Sequence, residues 1–185
     1  MKYKLSLLVG ALWLAGCAGS TPYTYYVQPT PLVAEQSTYA LGKVTVHLSL
    51  GDGAIEGDRT FASEQELQQE FNQYLQHYLK QSGYLAKNVA SADAVIDVDI
   101  GFKRTFNMGG HSLNKPEVTH NVVLSKDGTK LASFQNGPYL TKYAYLEDLS
   151  VDLEIASFNW DAQDEPRDVD LVSKLLVDEI VQIGE

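Results

Sequence analysis

The sequence predicts an α+β two-layer sandwich, a mainly antiparallel sheet with two helices packed on it in the order β-α-β-β-β-(β)-α. Three observations carry that prediction. Apolar residues alternate with polar ones through residues 43–50 and 94–106, which is the period of a half-buried strand. Two other stretches, 64–82 and 166–183, repeat their apolar residues every three or four positions, the period of an amphipathic helix. Between two further apolar runs stands Asp127-Gly128, a pair suited to a type I′ hairpin turn.

Taken in order, Val44, Val46, Leu48 and Leu50 alternate with Lys43, Thr45, His47 and Ser49, so one face is core and the other wet. Gly51-Asp52-Gly53 ends that strand. Ser63 followed by Glu66 is a capping box for a helix whose Leu67, Phe71, Leu75, Tyr78 and Leu79 form one face, and Gly83 supplies a left-handed stop. The polar face carries Gln68, Gln69, Asn72, Gln73 and Gln76. Ile96, Val98, Ile100, Phe102 and Phe106 define the next strand, with Asp97 and Asp99 on its other side, and Gly109, Gly110 and Pro116 mark a loop after it. Val118 to Leu124 and Leu131 to Phe134 flank the hairpin turn and complete an antiparallel meander. In residues 138–160, Val151, Leu153 and Ile155 alternate among turn residues, which reads as a strand or an irregular lid. Pro166, preceded by Asp164 and Glu165 and followed by Asp168, opens the last helix, and these acids complement the positive end of its dipole.

The first residues have a different character. Lys2 and Lys4 precede an apolar run from Leu5 to Leu14, too short for the roughly 20 residues that span a bilayer. This is the anatomy of an export signal. Leu14-Ala15-Gly16-Cys17 follows at once and resembles the bacterial lipobox, which implies cleavage before Cys17 and lipidation of that cysteine by diacylglyceryl and N-acyl groups. Cys17 is the only cysteine, so the exported domain folds without disulfides. Ala18 stands where an aspartate would resemble the inner-membrane retention signal of Gram-negative bacteria, so the expected location is the outer membrane, periplasm-facing. Three segments are therefore expected: a signal peptide over 1–16, lipidated Cys17 and a flexible tether over 17–40 with Pro22, Pro29 and Pro31, and one globular domain over 41–185. Tyr23, Tyr25 and Tyr26 lie in the tether, to pack loosely on the domain or to contact a partner.

Removing residues 1–16 takes away two lysines and no acids, so the full chain's net charge of −10 becomes −12 in the mature protein. An acidic surface of this kind excludes nucleic acid and an electrostatic grip on anionic lipid, leaving acyl chains to hold the membrane. Catalytic patterns are likewise not found. His47, His77, His111 and His120 are dispersed without metal-ligand spacing. Ser112 beside His111 lacks a nucleophile elbow, Asp97 and Asp99 fit the solvent face of a sheet, and Asp161, Asp164, Glu165, Asp168 and Asp170 lack the glycine and spacing of a calcium loop. No enzyme, metal or cofactor is expected.

Lipobox, tether, first strand, a capped helix ending in Lys80-Gln81-Ser82-Gly83-Tyr84, the Ala92-Asp93-Ala94 lead into an apolar strand, the Asp127-Gly128 hairpin and a terminal amphipathic helix together resemble small Gram-negative periplasmic lipoproteins of the YajG-like, LpoB-like and CsgG-like layouts over residues 42–184. The resemblance implies a non-enzymatic accessory part in an envelope assembly or secretion complex. Two function classes follow. One is an adaptor that binds an envelope protein through a sheet edge, the polar helix face or the tyrosines Tyr139, Tyr143 and Tyr145, with homo-oligomers open to it. The other is an auxiliary lipoprotein of a transport system that carries a lipid or other apolar ligand. Phe71, Tyr74, Tyr78, Phe102, Phe106, Phe134, Phe158 and Trp160 suffice to fill a domain of this size, which favours the adaptor.

Overall fold

A computed structural model describes residues 23–107 and 111–185. The fold is α+β, with helices packed on an open five-stranded sheet. The strands are β1 (Thr24–Tyr25), β2 (Tyr39–Leu50), β3 (Ala94–Arg104), β4 (Glu117–Lys126) and β5 (Thr129–Leu140). The helices are α1 (Glu64–Gln81), α2 (Tyr145–Ala156) and α3 (Glu165–Val181). In space the strands run β1-β5-β4-β3-β2. The pair β2 and β3 is parallel because α1 carries the chain back between them, and the other pairings are antiparallel.

Local chemistry sets the helix and turn boundaries. Ser63 Oγ accepts from the Glu66 amide while the Glu66 carboxylate accepts from the Ser63 amide, so the expected capping box is present. Past the other end of α1, Gly83 has φ +83°, the left-handed conformation that costs glycine nothing. Asp127 and Gly128 have φ of +49° and +79°, both positive as a type I′ turn requires.

The inner face of the sheet presents Val44, Val46, Ile96, Val98, Ile100, Phe102, Val122 and Leu124 to Leu67, Phe71, Leu75 and Leu79 of α1 and to Val172, Leu176 and Ile180 of α3. Burying each such side chain is worth about 1.5–3 kcal/mol. Among the described residues no helix packs on the other face of the sheet, the bare face. It exposes Lys43, His47, Asp97, Asp99, Lys103, Thr119, Asn121 and Gln135, so the solvent-face reading of Asp97 and Asp99 matches their placement.

Two expectations are corrected. The expected tether over 17–40 belongs to the folded unit from Tyr23 onward. Thr24–Tyr25 pair with β5, Leu32 is 1 % exposed and Tyr39 fully buried. This segment wraps the end of α3. Tyr23 Oη donates to the Glu179 carbonyl, the Glu35 amide donates to the Val181 carbonyl, and the Gly184 amide donates to Tyr25 Oη. Its proline-rich composition imitates a linker, but its tyrosines and Leu32 bury too much apolar surface to stay free of the domain.

Within residues 138–160, expected as strand or irregular lid, the alternating stretch is a helix. Residues 138–140 continue β5, and 145–156 form α2. At 100° per residue Val151 and Ile155 share the inward side, whereas Leu153 falls opposite and is 63 % exposed. The apparent alternation arises because this helix is apolar on two faces.

Leu32 distinguishes a packed segment from a tether. Leu32→Ala is expected to lower stability by about 2–5 kcal/mol in urea unfolding, as for other buried leucines. A tether residue would change it by less than about 0.5 kcal/mol.

Candidate interaction surface

The three most exposed large apolar side chains among the described residues, Tyr145, Leu146 and Leu153, lie on α2. Tyr145 is 86 % exposed, Leu146 78 %, Leu149 54 % and Leu153 63 %, with Leu140 and Phe158 also more than half exposed. On a helix, positions 145, 146, 149 and 153 lie on one side, so α2 presents an apolar stripe to solvent.

The opposite side of α2 rests on a small core of its own. Val151 is its only fully buried residue, and it joins Phe61, Leu113, Tyr143 and Trp160 in a cluster separate from the main core. Tyr143 and Trp160 meet edge to face with ring centroids 6.1 Å apart, and the Arg167 guanidinium lies 4.6 Å above the Trp160 ring. Ion pairs hold the flanks. Lys115 Nζ is 2.7 Å from both Asp148 and Asp152, and Arg167 lies within 3.5 Å of Glu147 and Glu154.

Beneath this small core the start of α3 carries two buried carboxylates. Arg104, from the end of β3, donates from Nε and Nη2 to the two oxygens of Glu165, the second at 2.8 Å, and from Nη2 to the Ala62 carbonyl. Asp168 Oδ1 accepts from Thr141 Oγ1 at 2.7 Å and from Tyr143 Oη at 2.8 Å. Trp160 Nε1 approaches the same carboxylate without reaching hydrogen-bond geometry. The segment that carries α2 is therefore tied to α3 near its first residues by one carboxylate. Burial pushes the Asp168 carboxyl up to about 6, against the hydrogen bonds from Thr141 and Tyr143. Burial beside Asp168 also pushes the Tyr143 hydroxyl up, so it stays a proton donor.

The three tyrosines chosen from sequence separate in the structure. Tyr145 alone is on the surface stripe. Tyr143 is 6 % exposed and spends its hydroxyl on Asp168. Tyr139 is half-buried, and its hydroxyl lies 3.0 Å from His120 Nδ1. Tyr143 is thus an internal group rather than a surface contact and Tyr139 a half-buried one, and each phenol has a polar partner. Leu146, Leu149 and Leu153 were missed because the segment did not read as helix, although their spacing of three and four was the available signal. Of the acid cluster, Glu165 and Asp168 do more than complement a dipole, because both are buried.

Among the histidines, His47 Nε2 pairs with Asp99 at 3.1 Å on the bare face, and His120 is buried with Nε2 2.9 Å from Glu179. Among the described residues no group of three or more His, Cys, Asp or Glu could hold a metal ion, and no helix is long and apolar enough to cross a membrane. Cys17 lies outside the described residues.

The site and fold together define a class: an open-faced α+β domain with an exposed apolar helix latched to its side. No family model and no curated protein matches the chain. Among solved structures it is similar to a Xanthomonas campestris protein of the DUF330 family, at 13 % identity over 83 % of this chain and 90 % of that one, with a TM-score of 0.45. It is also similar to a Helicobacter pylori homolog of neuraminyllactose-binding hemagglutinin, at 11 % identity over 80 % of this chain and 83 % of that one, with a TM-score of 0.39. Neither likeness decides what this chain does.

The sign of the Asp168 effect is testable. The folded state holds this proton more tightly than the unfolded chain, so its unfavourable contribution is complete above pH 6 and fades as pH falls toward 4. Relative to Asp168→Asn, the native protein is expected to gain about 1 kcal/mol in urea unfolding between pH 7.5 and pH 5. An equal response in both proteins would show that Asp168 is not the group responsible.

Proposed function

We propose that the protein is a lipid-anchored adaptor of the bacterial cell envelope, held at the periplasmic face of the outer membrane through Cys17, and that it works by binding another envelope protein. One observation carries the reading: the apolar stripe of Tyr145, Leu146, Leu149 and Leu153 along one side of α2, which holds the three most exposed large apolar side chains among the described residues. A soluble domain seldom exposes such a patch unless something covers it.

The carrier reading has less support. Trp160, Tyr39, Phe71 and Phe102 are each no more than 1 % exposed, so the interior is filled. A cleft of about 430 Å³ on the bare face is lined by Asp99, Thr119, Asn121, Gln135 and Asn136, polar groups that suit no acyl chain. The hollow between Tyr139, Leu140, Leu171 and Leu175 measures about 160 Å³, below the roughly 300 Å³ of an ordinary ligand site. The groove along α3 by Tyr23, Leu171 and Leu175 is a surface trough edged by Lys174, Asp178 and Glu179.

The test uses the native acylated chain in its own cells, with a photo-crosslinking residue in place of Leu149 or, as a control, of Asn121 on the bare face. The expected result is one envelope protein captured from Leu149 and not from Asn121, and its loss when Leu153→Asp is added. Capture from Asn121 alone would move the docking face to the sheet. Cys17→Ser is expected to abolish acylation and release the chain from the membrane; acylation that persists in this variant would remove the anchor.

A further inference from the structure

The charge pattern of α2 indicates what kind of surface covers it, an inference that rests on the adaptor reading and deepens it. Viewed down the axis, Leu146, Leu149 and Leu153 face outward and Val151 and Ile155 inward. Glu147 and Glu154 lie along one flank and Asp148 and Asp152 along the other. Every ionisable side chain between Leu146 and Ala156 is therefore a carboxylate, and they edge the apolar stripe on both sides. Lys115 and Arg167 reach these acids from the body of the domain and Lys142 lies near Asp148, three cations for four carboxylates, and Asp152 and Glu147 keep 59 % and 52 % of their side-chain surface in solvent.

Three occupants compete for this stripe. A second copy, related by a two-fold axis, would set acidic flank against acidic flank on chains already at net charge −10. A bilayer suits helices that carry Lys and Arg beside the apolar face, and anionic head groups would repel these acids. A helix with apolar residues at coiled-coil spacing and basic residues beside them answers both features: its knobs match a stripe stepped by three and four, and its cations meet the rim. We infer that α2 pairs with an amphipathic helix of a different protein whose apolar seam is edged with Lys or Arg. The twelve residues of α2 offer about three turns of contact.

The test uses the acylated full chain in a non-ionic detergent and two labelled designed peptides. Both carry Leu and Ile along one seam; one has Lys beside it and the other Glu. Fluorescence anisotropy is expected to show the Lys peptide binding at least about tenfold more tightly at low salt, with the preference shrinking as salt rises. Leu149→Asp should cut Lys-peptide binding about tenfold or more, and Glu147→Lys should narrow the preference while circular dichroism stays unchanged. Equal binding of the two peptides, or binding of neither, would overturn the inference. So would binding to phosphatidylethanolamine and phosphatidylglycerol vesicles, or a dimer in sedimentation, that Leu149→Asp abolishes. If Leu149 captures an envelope protein in cells while the two peptides bind alike, the adaptor reading stands and the basic-helix partner falls.

Discussion

The buried carboxylates of Glu165 and Asp168 hold three parts of the chain together at one point. Glu165 receives Arg104 from the end of β3, and the same guanidinium reaches the Ala62 carbonyl in the loop before α1. Asp168, one turn further along α3, receives Thr141 and Tyr143 from the connection between β5 and α2. Removing one partner from a buried charge typically costs about 3–5 kcal/mol because the other is left without compensation. The position of α3 against the sheet, and of the segment leading into α2 against α3, is thus fixed by polar contacts that tolerate little change, whereas the main core is held by many interchangeable apolar contacts.

This arrangement gives the molecule two tiers of packing. Below lies the main core between sheet, α1 and α3. Above lies the small cluster of Phe61, Leu113, Tyr143, Val151 and Trp160, on which α2 rests through one fully buried residue of its own. Elements with few buried contacts open at lower free energy than the body of a domain. A helix built in this way can loosen without disturbing the sheet, and the ion pairs from Lys115 and Arg167 hold its flanks.

Most of the main fold was legible in the sequence because each signal had one physical meaning. Ser63 with Glu66 can only cap, Asp127-Gly128 suits a reversed hairpin, and alternation through Ile96 to Phe102 matches a half-buried strand. The parallel pairing of β2 and β3 was not part of the expected meander, although the helix between them allows it. Two regions misled where composition and period were ambiguous. Residues 23–40 have the prolines of a linker, yet Tyr23, Tyr25 and Leu32 find their partners in β5 and at the end of α3, more than 100 residues away. Residues 145–156 are apolar on two faces, so a helical pattern looked like alternation. Of the candidate surface only Tyr145 was legible, and the latch at Asp168 was hidden because an acid near a helix start is ordinarily solvated.

Docking through α2 has a direct readout. Hydrogen–deuterium exchange of the native chain, compared alone and in the complex isolated from its own membranes, tests it most directly. Added protection is expected over α2 and its neighbours Leu140 and Phe158, with the strands of the bare face unchanged. Protection over Thr119, Asn121 and Gln135 with α2 unaffected would contradict it.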